Sequence, residues 1–285
     1  MSAQVAGRVE TLHPLVRRLL APNPSAFTFT GTQTYIVGTG EVAVIDPGPD
    51  SAAHVAALLA ALEGERIAAI LCTHTHRDHS PAARALKAAT GAEIVGCAAL
   101  IVDDSGPRAD ASFDTDYAPD RVLADGETVA GPGWTLEAVA TPGHTSNHLC
   151  FGLAQAQALF SGDHVMGWST SVVSPPDGDM ADYMASLERL MDRDDIVYYP
   201  AHGEPIDNPR RLVRGLIGHR RQREGQILRL LGAGAKPVPA MVETMYVGID
   251  PRLHGAAGRS VLAHLIDLER RGLVAAEGES WALAA

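Results

Sequence analysis

Between residues 73 and 80 the chain reads Thr73-His74-Thr75-His76-Arg77-Asp78-His79-Ser80. Three imidazoles and a carboxylate follow directly on an apolar run, Ile67-Ala68-Ala69-Ile70-Leu71-Cys72. Such a run predicts a buried strand, and open sheets keep their sites on loops past strand carboxyl ends. On a regular strand or helix neighbouring side chains point to different faces. A tight loop can converge His74 and His76 on one ion, and Asp78 and His79 on a second beside it. Neutral imidazole suits zinc, iron, copper and nickel, whereas carboxylates alone favour magnesium or calcium. Four such groups with no cysteine motif nearby point to an open hydrolytic centre, not a closed structural one. A His-rich surface loop that binds nothing is the competing reading, and the strand in front of HxHxDH disfavours it.

Three downstream segments repeat the context of strand, then ligand. Thr141-Pro142-Gly143-His144-Thr145 follows an apolar stretch at 134–140 and offers a third ligand for the first ion. Phe160-Ser161-Gly162-Asp163 ends another apolar run with an acid placed to bridge two ions, and Tyr198-Tyr199-Pro200-Ala201-His202-Gly203 ends a third. Singly, His144 or His202 is an ordinary loop histidine. Together they complete a two-metal centre. Ions about 3.5–4 Å apart lower the pKa of a shared water toward neutrality, and the hydroxide attacks a carbonyl or phosphoryl centre. Asp78 is placed to orient that water. His148 and His164 lie within four residues of a ligand and are candidate proton donors or, equally, buried structural histidines.

The elements that must carry these loops are those of a regular α/β chain. Residues 34–37 and 42–45 predict a hairpin joined by Gly38-Thr39-Gly40, and Ser51 to Leu62 has apolar residues at helical spacing. Pro81 to Ala89 predicts a helix opened by Ser80 as N-cap. Residues 103–120, rich in Asp, Gly and Pro, predict an exposed insertion. Asp179 to Met191 predicts a helix whose methionine stripe fills core.

In this order of ligands the chain resembles the metallo-β-lactamase superfamily, over about residues 30–208. The resemblance implies an α+β fold, the αββα sandwich, with metals at one edge. It implies two zinc ions (iron or manganese as substitutes): His74, His76 and His144 on the first, Asp78, His79 and His202 on the second, and Asp163 bridging. Asp46, in Val44-Ile45-Asp46-Pro47-Gly48, matches a family position that supports the ligands from behind; the bland alternative is a turn residue before Pro-Gly.

The chain has 285 residues and a formal charge of −11. Residues 209–285 hold 12 Lys and Arg against 7 Asp and Glu, a charge of +5; the first 208 hold 11 against 27, a charge of −16. The tail predicts helix, helix and a hairpin turning at Gly278, which resembles a winged helix, and divides the chain into 1–208 and 209–285. Its basic residues suit either a phosphate backbone or a face docked on the acidic catalytic part. No apolar stretch of about 20 residues predicts a membrane span, and the first ten residues lack a secretory pattern. Cys72, Cys97 and Cys150, odd in number and set in apolar runs, read as reduced core thiols, which predicts a cytoplasmic protein.

Gly31-Thr32-Gln33-Thr34-Tyr35, the segment from Val172 to Met180 and Arg223-Glu224-Gly225-Gln226-Ile227-Leu228 are further similar to the β-lactamase-like protein 2 group, departing from it at Gln33, His164 and Trp168 around the expected pocket mouth. The resemblance implies hydrolysis of a small-molecule ester, thioester, lactone or β-lactam-like bond, or of single-stranded RNA. A glyoxalase II-like thioesterase shares the same octet, and a zinc-stabilised scaffold is the non-enzymatic reading.

Overall fold

The computed structural model describes residues 4–100 and 113–284. Strands β1 (Val9–His13), β2 (Val16–Leu20), β3 (Gln33–Thr39), β4 (Glu41–Ile45), β5 (Arg66–Cys72), β6 (Glu93–Gly96) and β7 (Arg121–Val122) make a seven-stranded sheet in chain order. Pairing is antiparallel up to β4 and parallel beyond it. Parallel neighbours need a crossover. Helices α1 (Ala52–Ala61) and α2 (Ala82–Thr90) supply two of them. A second sheet runs β12 (Val197–Pro200), β11 (Ala158–Gly162), β10 (Leu149–Leu153), β9 (Trp134–Ala140), β8 (Thr128–Gly131), and α3 (Met180–Leu190) crosses over between its parallel pair, β11 and β12.

The second sheet shows why the layers stack as they do. Along it, Leu136, Ala138, Phe151 and Phe160 join a cluster with the first sheet, while Val139, Cys150 and Leu159 join another with α3. This period-two alternation buries both faces. Leu58 of α1 and Leu86 of α2 pack in the first cluster. The layers are thus helix, sheet, sheet, helix, as the αββα expectation requires.

The chain continues through α4 (Pro209–Gly232), β13 (Lys236–Pro237), α5 (Val238–Met245), α6 (His254–Arg270), β14 (Val274–Glu277) and β15 (Ser280–Leu283). The last two strands form the expected hairpin, with Gly278 at φ +62° in its turn. Helix α4 serves two cores. Val213, Leu216 and Ile217 pack against α3, while Ile227 and Leu231 pack against α5 and α6. Of the basic residues, Arg221 pairs with Glu188 at 2.9 Å and Arg270 with Asp179, docking the tail on α3 and its N-cap. Arg210, Arg211 and Arg214 are exposed.

Local expectations need three corrections. Strand β3 runs on to Thr39, so the hairpin turn is tighter than Gly38-Thr39-Gly40. Ser80 does not cap α2: its hydroxyl donates to Asp114 at 2.9 Å, and the helix starts at Ala82 with no side-chain cap. Residues 103–112 of the expected insertion lie outside the described residues, and 113–120 are not a simple exposed loop. Asp114 is buried there, accepting from Ser80 and Arg84, and Tyr117 packs into the core of the first sheet. All three cysteines are free and buried, and burial pushes Cys97 and Cys150 up to about 12. Among the described residues no helix is long and apolar enough to cross a membrane.

Candidate metal centre

The ligand loops meet at one edge because their strands run the same way. The octet leaves β5; His144, Asp163 and His202 follow β9, β11 and β12. Strands β9 and β11 are both antiparallel to β10, and β12 is parallel to β11, so three carboxyl ends share one edge. The turn into His144 needs glycine. Gly143 sits at φ +133°, and a Cβ there would lie 2.3 Å from the Cα of Tyr183. Gly143→Ala is therefore expected to cost about 3 kcal/mol from strain and overlap, to be read as a lower denaturation midpoint. A parent-like midpoint would show that the turn can shift.

Two groups of candidate ligands result: His74, His76, His144 and Asp163, and Asp78, His79 and His202. The proton positions on the rings follow from their outer partners. His144 Nδ1 meets the Val172 carbonyl at 2.6 Å and must donate to it, so its Nε2 presents a lone pair. Thr73 gives its hydroxyl proton to Asp46 (2.9 Å), so it accepts from His74 Nδ1 (2.9 Å), which bares His74 Nε2 as well. Both lone pairs face His76 Nδ1, at 2.9 and 3.1 Å. One proton cannot serve both; a cation can.

The second group repeats the logic. His79 Nδ1 donates to Asp46 (3.0 Å) and His202 Nδ1 to the Gly31 carbonyl (3.2 Å). Their bared Nε2 atoms each lie 3.2 Å from Asp78 Oδ2. Asp163 reaches both groups: its Oδ2 is 3.7 Å from His144 Nε2 and 3.6 Å from His79 Nε2, and its Oδ1 is 3.3 Å from His202 Nε2. Bonds of about 2.0–2.2 Å in a tetrahedral zinc site set ligands roughly 3.3–3.6 Å apart, and these separations bracket that spacing. His79 Nε2 and Asp163 Oδ1 are buried without a hydrogen bond of acceptable geometry, a cost that a shared cation removes.

The charges agree. Burial alone would lower His202 and raise Asp163, but their mutual attraction wins, pushing His202 up to about 10 and Asp163 well below the usual carboxylate range. His79 is raised in the same way by Asp78, Asp163 and Asp46. Burial, then the neighbouring imidazoles, holds His74 far below its ordinary value, and burial with His144 pulls His76 down to about 3. His74 and His76 are thus kept neutral and ready to ligate.

His148 and His164 do not open on the cavity. His148 is 1 % exposed, its Nδ1 bonded to Thr141 and its Nε2 accepting from the Asp163 amide at 3.2 Å. His164 is buried behind Asp163, against Tyr183 and near Arg220. A proton-donor role therefore lacks geometry, and His148 instead holds the Asp163 backbone. Gln33, His164 and Trp168 are not among the residues lining the cavity: Gln33 pairs with Gln4, and Trp168 stacks on Phe29 at 4.9 Å.

Sequence reasoning missed the residues behind the ligands. Thr32 donates to Asp78 Oδ2 at 3.0 Å, Thr73 links His74 to Asp46, and Ser171 donates to the carbonyls of Asp163 (2.5 Å) and His164 (2.9 Å). Thr32 and Thr73 lie inside the quoted motifs, which was the available signal. Ser171 had none, nor did Arg220 of α4, which is 2 % exposed and donates to the Ser171 carbonyl. Ser171→Ala should weaken metal retention about tenfold, as loss of an outer partner does, measured by competition with a chelator. An unchanged competition curve would remove Ser171 from the support.

A sequence profile of the metallo-beta-lactamase superfamily matches residues 27–202, spanning every candidate ligand. The chain belongs to this superfamily. A beta-lactamase associated winged helix domain matches residues 238–281. A beta-lactamase-like protein 2 homolog of Caenorhabditis elegans is 35% identical, covering 78% of this chain and 73% of its own length. An atrochrysone carboxyl ACP thioesterase of Aspergillus fumigatus is also 35% identical, covering 78% and 67%. In fold, the chain is similar to a metallo-beta-lactamase family protein of Thermus thermophilus, with a TM-score of 0.80 and 23% identity over 96% of this chain and 100% of that one. As a superfamily member the chain is a hydrolase with a His/Asp cluster suited to metal.

Proposed function

We propose that the chain is a dinuclear, zinc-dependent hydrolase of small-molecule acyl substrates, with a thioester as the bond that fits best. The observation that carries the reading is Asp163 standing between two groups of bared imidazole nitrogens. The donor set suits zinc, and iron or manganese as substitutes. When bound, such a pair supplies Lewis acidity and a water that ionises near neutrality.

The protein's own part follows from the geometry. Asp78 lines the cavity and its side chain is 25 % exposed. Held by Thr32, it orients the attacking water and takes its proton. The cavity, about 500 Å³, has the ligands as its floor and Phe27, Met166 and Val172 among its walls, which pack an acyl chain and exclude water. Among the described residues no imidazole beyond the ligands lines it. A thiolate, with a pKa of about 8.5 for its thiol, departs without the strong acid that an alkoxide or amine requires. The thioesterase name of the Aspergillus fumigatus relative supports the same choice. Residues 1–208 would then be the catalytic part and 209–285 the helical appendage.

The test is thiol release from a hexanoyl thioester by metal-depleted chain before and after zinc addition. Zinc-dependent release is expected. Absence of release, with cleavage of labelled single-stranded RNA instead, would move the function to a nuclease and assign a role to the exposed Arg210, Arg211 and Arg214.

A further inference from the structure

The cavity has a wall that comes from the tail. Arg252, Gly255, Ala256 and Arg259 line it from the start of α6 and the turn before it. Gly255, Ala256 and Arg259 share one face of α6, and Arg252 lines the cavity from the turn before it. Two small residues leave room between two guanidinium groups. Facing them, Arg77 stands in the octet between His76 and Asp78 and also lines the cavity. Its Nε donates to the Phe113 carbonyl at 3.1 Å, one of five donors on the group. Arg252 is paired with Asp250, and its side chain is 81 % exposed.

Among the described residues the cavity lining is richer in cations than the chain as a whole, although Asp250 beside the lining pairs with Arg252. The chain carries −11 overall, yet among the described residues the only carboxylates lining the cavity are Asp78 and Asp163, both committed to the candidate metal centre. We infer that the Arg252–Arg259 face, with Arg77, is a binding site for an anionic group, a carboxylate or a phosphate, at the end of the acyl substrate remote from the scissile carbonyl. A guanidinium fork matches either group with two parallel hydrogen bonds. The inference rests on the hydrolase reading above and narrows its substrate class to anionic thioesters.

The test uses zinc-loaded full-length chain and four thioesters. The reference is the neutral hexanoyl thioester of 2-mercaptoethanol. The adipoyl thioester of the same thiol places a carboxylate on the acyl half. Hexanoyl thioesters of 3-mercaptopropionate and of 2-mercaptoethanol phosphate place a carboxylate or a phosphate on the thiol half. At least one anionic arm should exceed the reference roughly tenfold in kcat/KM, mainly through KM, as one charge-assisted bond provides. That ratio should shrink toward one in Arg252→Gln/Arg259→Gln and fall with added salt. The exposed Arg252→Gln alone, which leaves Arg259 in place, should lower it partly. Comparable kcat/KM for all four thioesters would overturn the anion site and leave the hydrolase intact. No hydrolysis of any would overturn the thioester reading together with it. Which arm wins tells carboxylate from phosphate.

Discussion

Asp163→Asn should lower hydrolysis by roughly a thousandfold or more, the scale of several kcal/mol that a bound metal contributes to a transition state. The carboxylate touches three imidazole nitrogens from both ligand groups and is held ionised by His202 and His79 against the effect of burial. An amide of the same shape offers one acceptor and one donor. The donor would point at a bared nitrogen or a cation, which is repulsive in the second case. The variant should also retain less metal after dialysis. Folding should persist, since the Asp163 amide bond to His148 and the Ser171 bond to its carbonyl do not involve the side chain. Parent-like turnover with parent-like metal content would remove Asp163 from the centre.

Asp46→Asn is expected to weaken metal binding about a hundredfold, the upper end for an outer partner, although Asp46 touches no cation. Its Oδ1 accepts from the Thr73 amide, and its Oδ2 from the Thr73 hydroxyl and His79 Nδ1. With the asparagine oxygen kept for the Thr73 amide, its NH₂ faces the other two. His79 must then accept at Nδ1 and carry its proton on Nε2, where a metal would bind. Thr73 must also accept, freeing its own proton for His74 Nδ1 and moving that ring's proton inward too. One substitution thus inverts two tautomers. Asparagine tolerates the left-handed backbone of residue 46, at φ +48°, so the chain should fold. The readout is chelator competition together with ring ¹⁵N shifts of His74 and His79. Unchanged shifts would show that the tautomers are set elsewhere.

The candidate ligands stood out in the sequence because each is a histidine or aspartate that follows an apolar run, and both signals are local in sequence. Asp46 was legible only through a resemblance. In the structure it is the common acceptor behind His74 and His79, a role that nothing in Val44-Ile45-Asp46-Pro47-Gly48 reveals. His148 and His164 were misleading because closeness in sequence to a ligand does not put a side chain on the same side of the backbone. The cap of α2 failed for a similar reason. Ser80 and Pro81 read as a helix start, but Asp114, 34 residues on, takes the hydroxyl. Arg220 and the 252–259 face lie beyond reach of such reading, because Ser171 and the rest of the cavity lining are far from them in sequence.

Helix α4 ties the two parts together more closely than a linker would. Its buried stripe passes from Val213 through Arg220 to Leu231, touching one core, then the support of Asp163, then the other core. Recombination that joined residues 1–208 of this chain to the tail of a distant relative would have to match three contacts at once. Such chimeras should fail far more often than exchanges of surface loops, and the two parts are expected to be inherited as one unit.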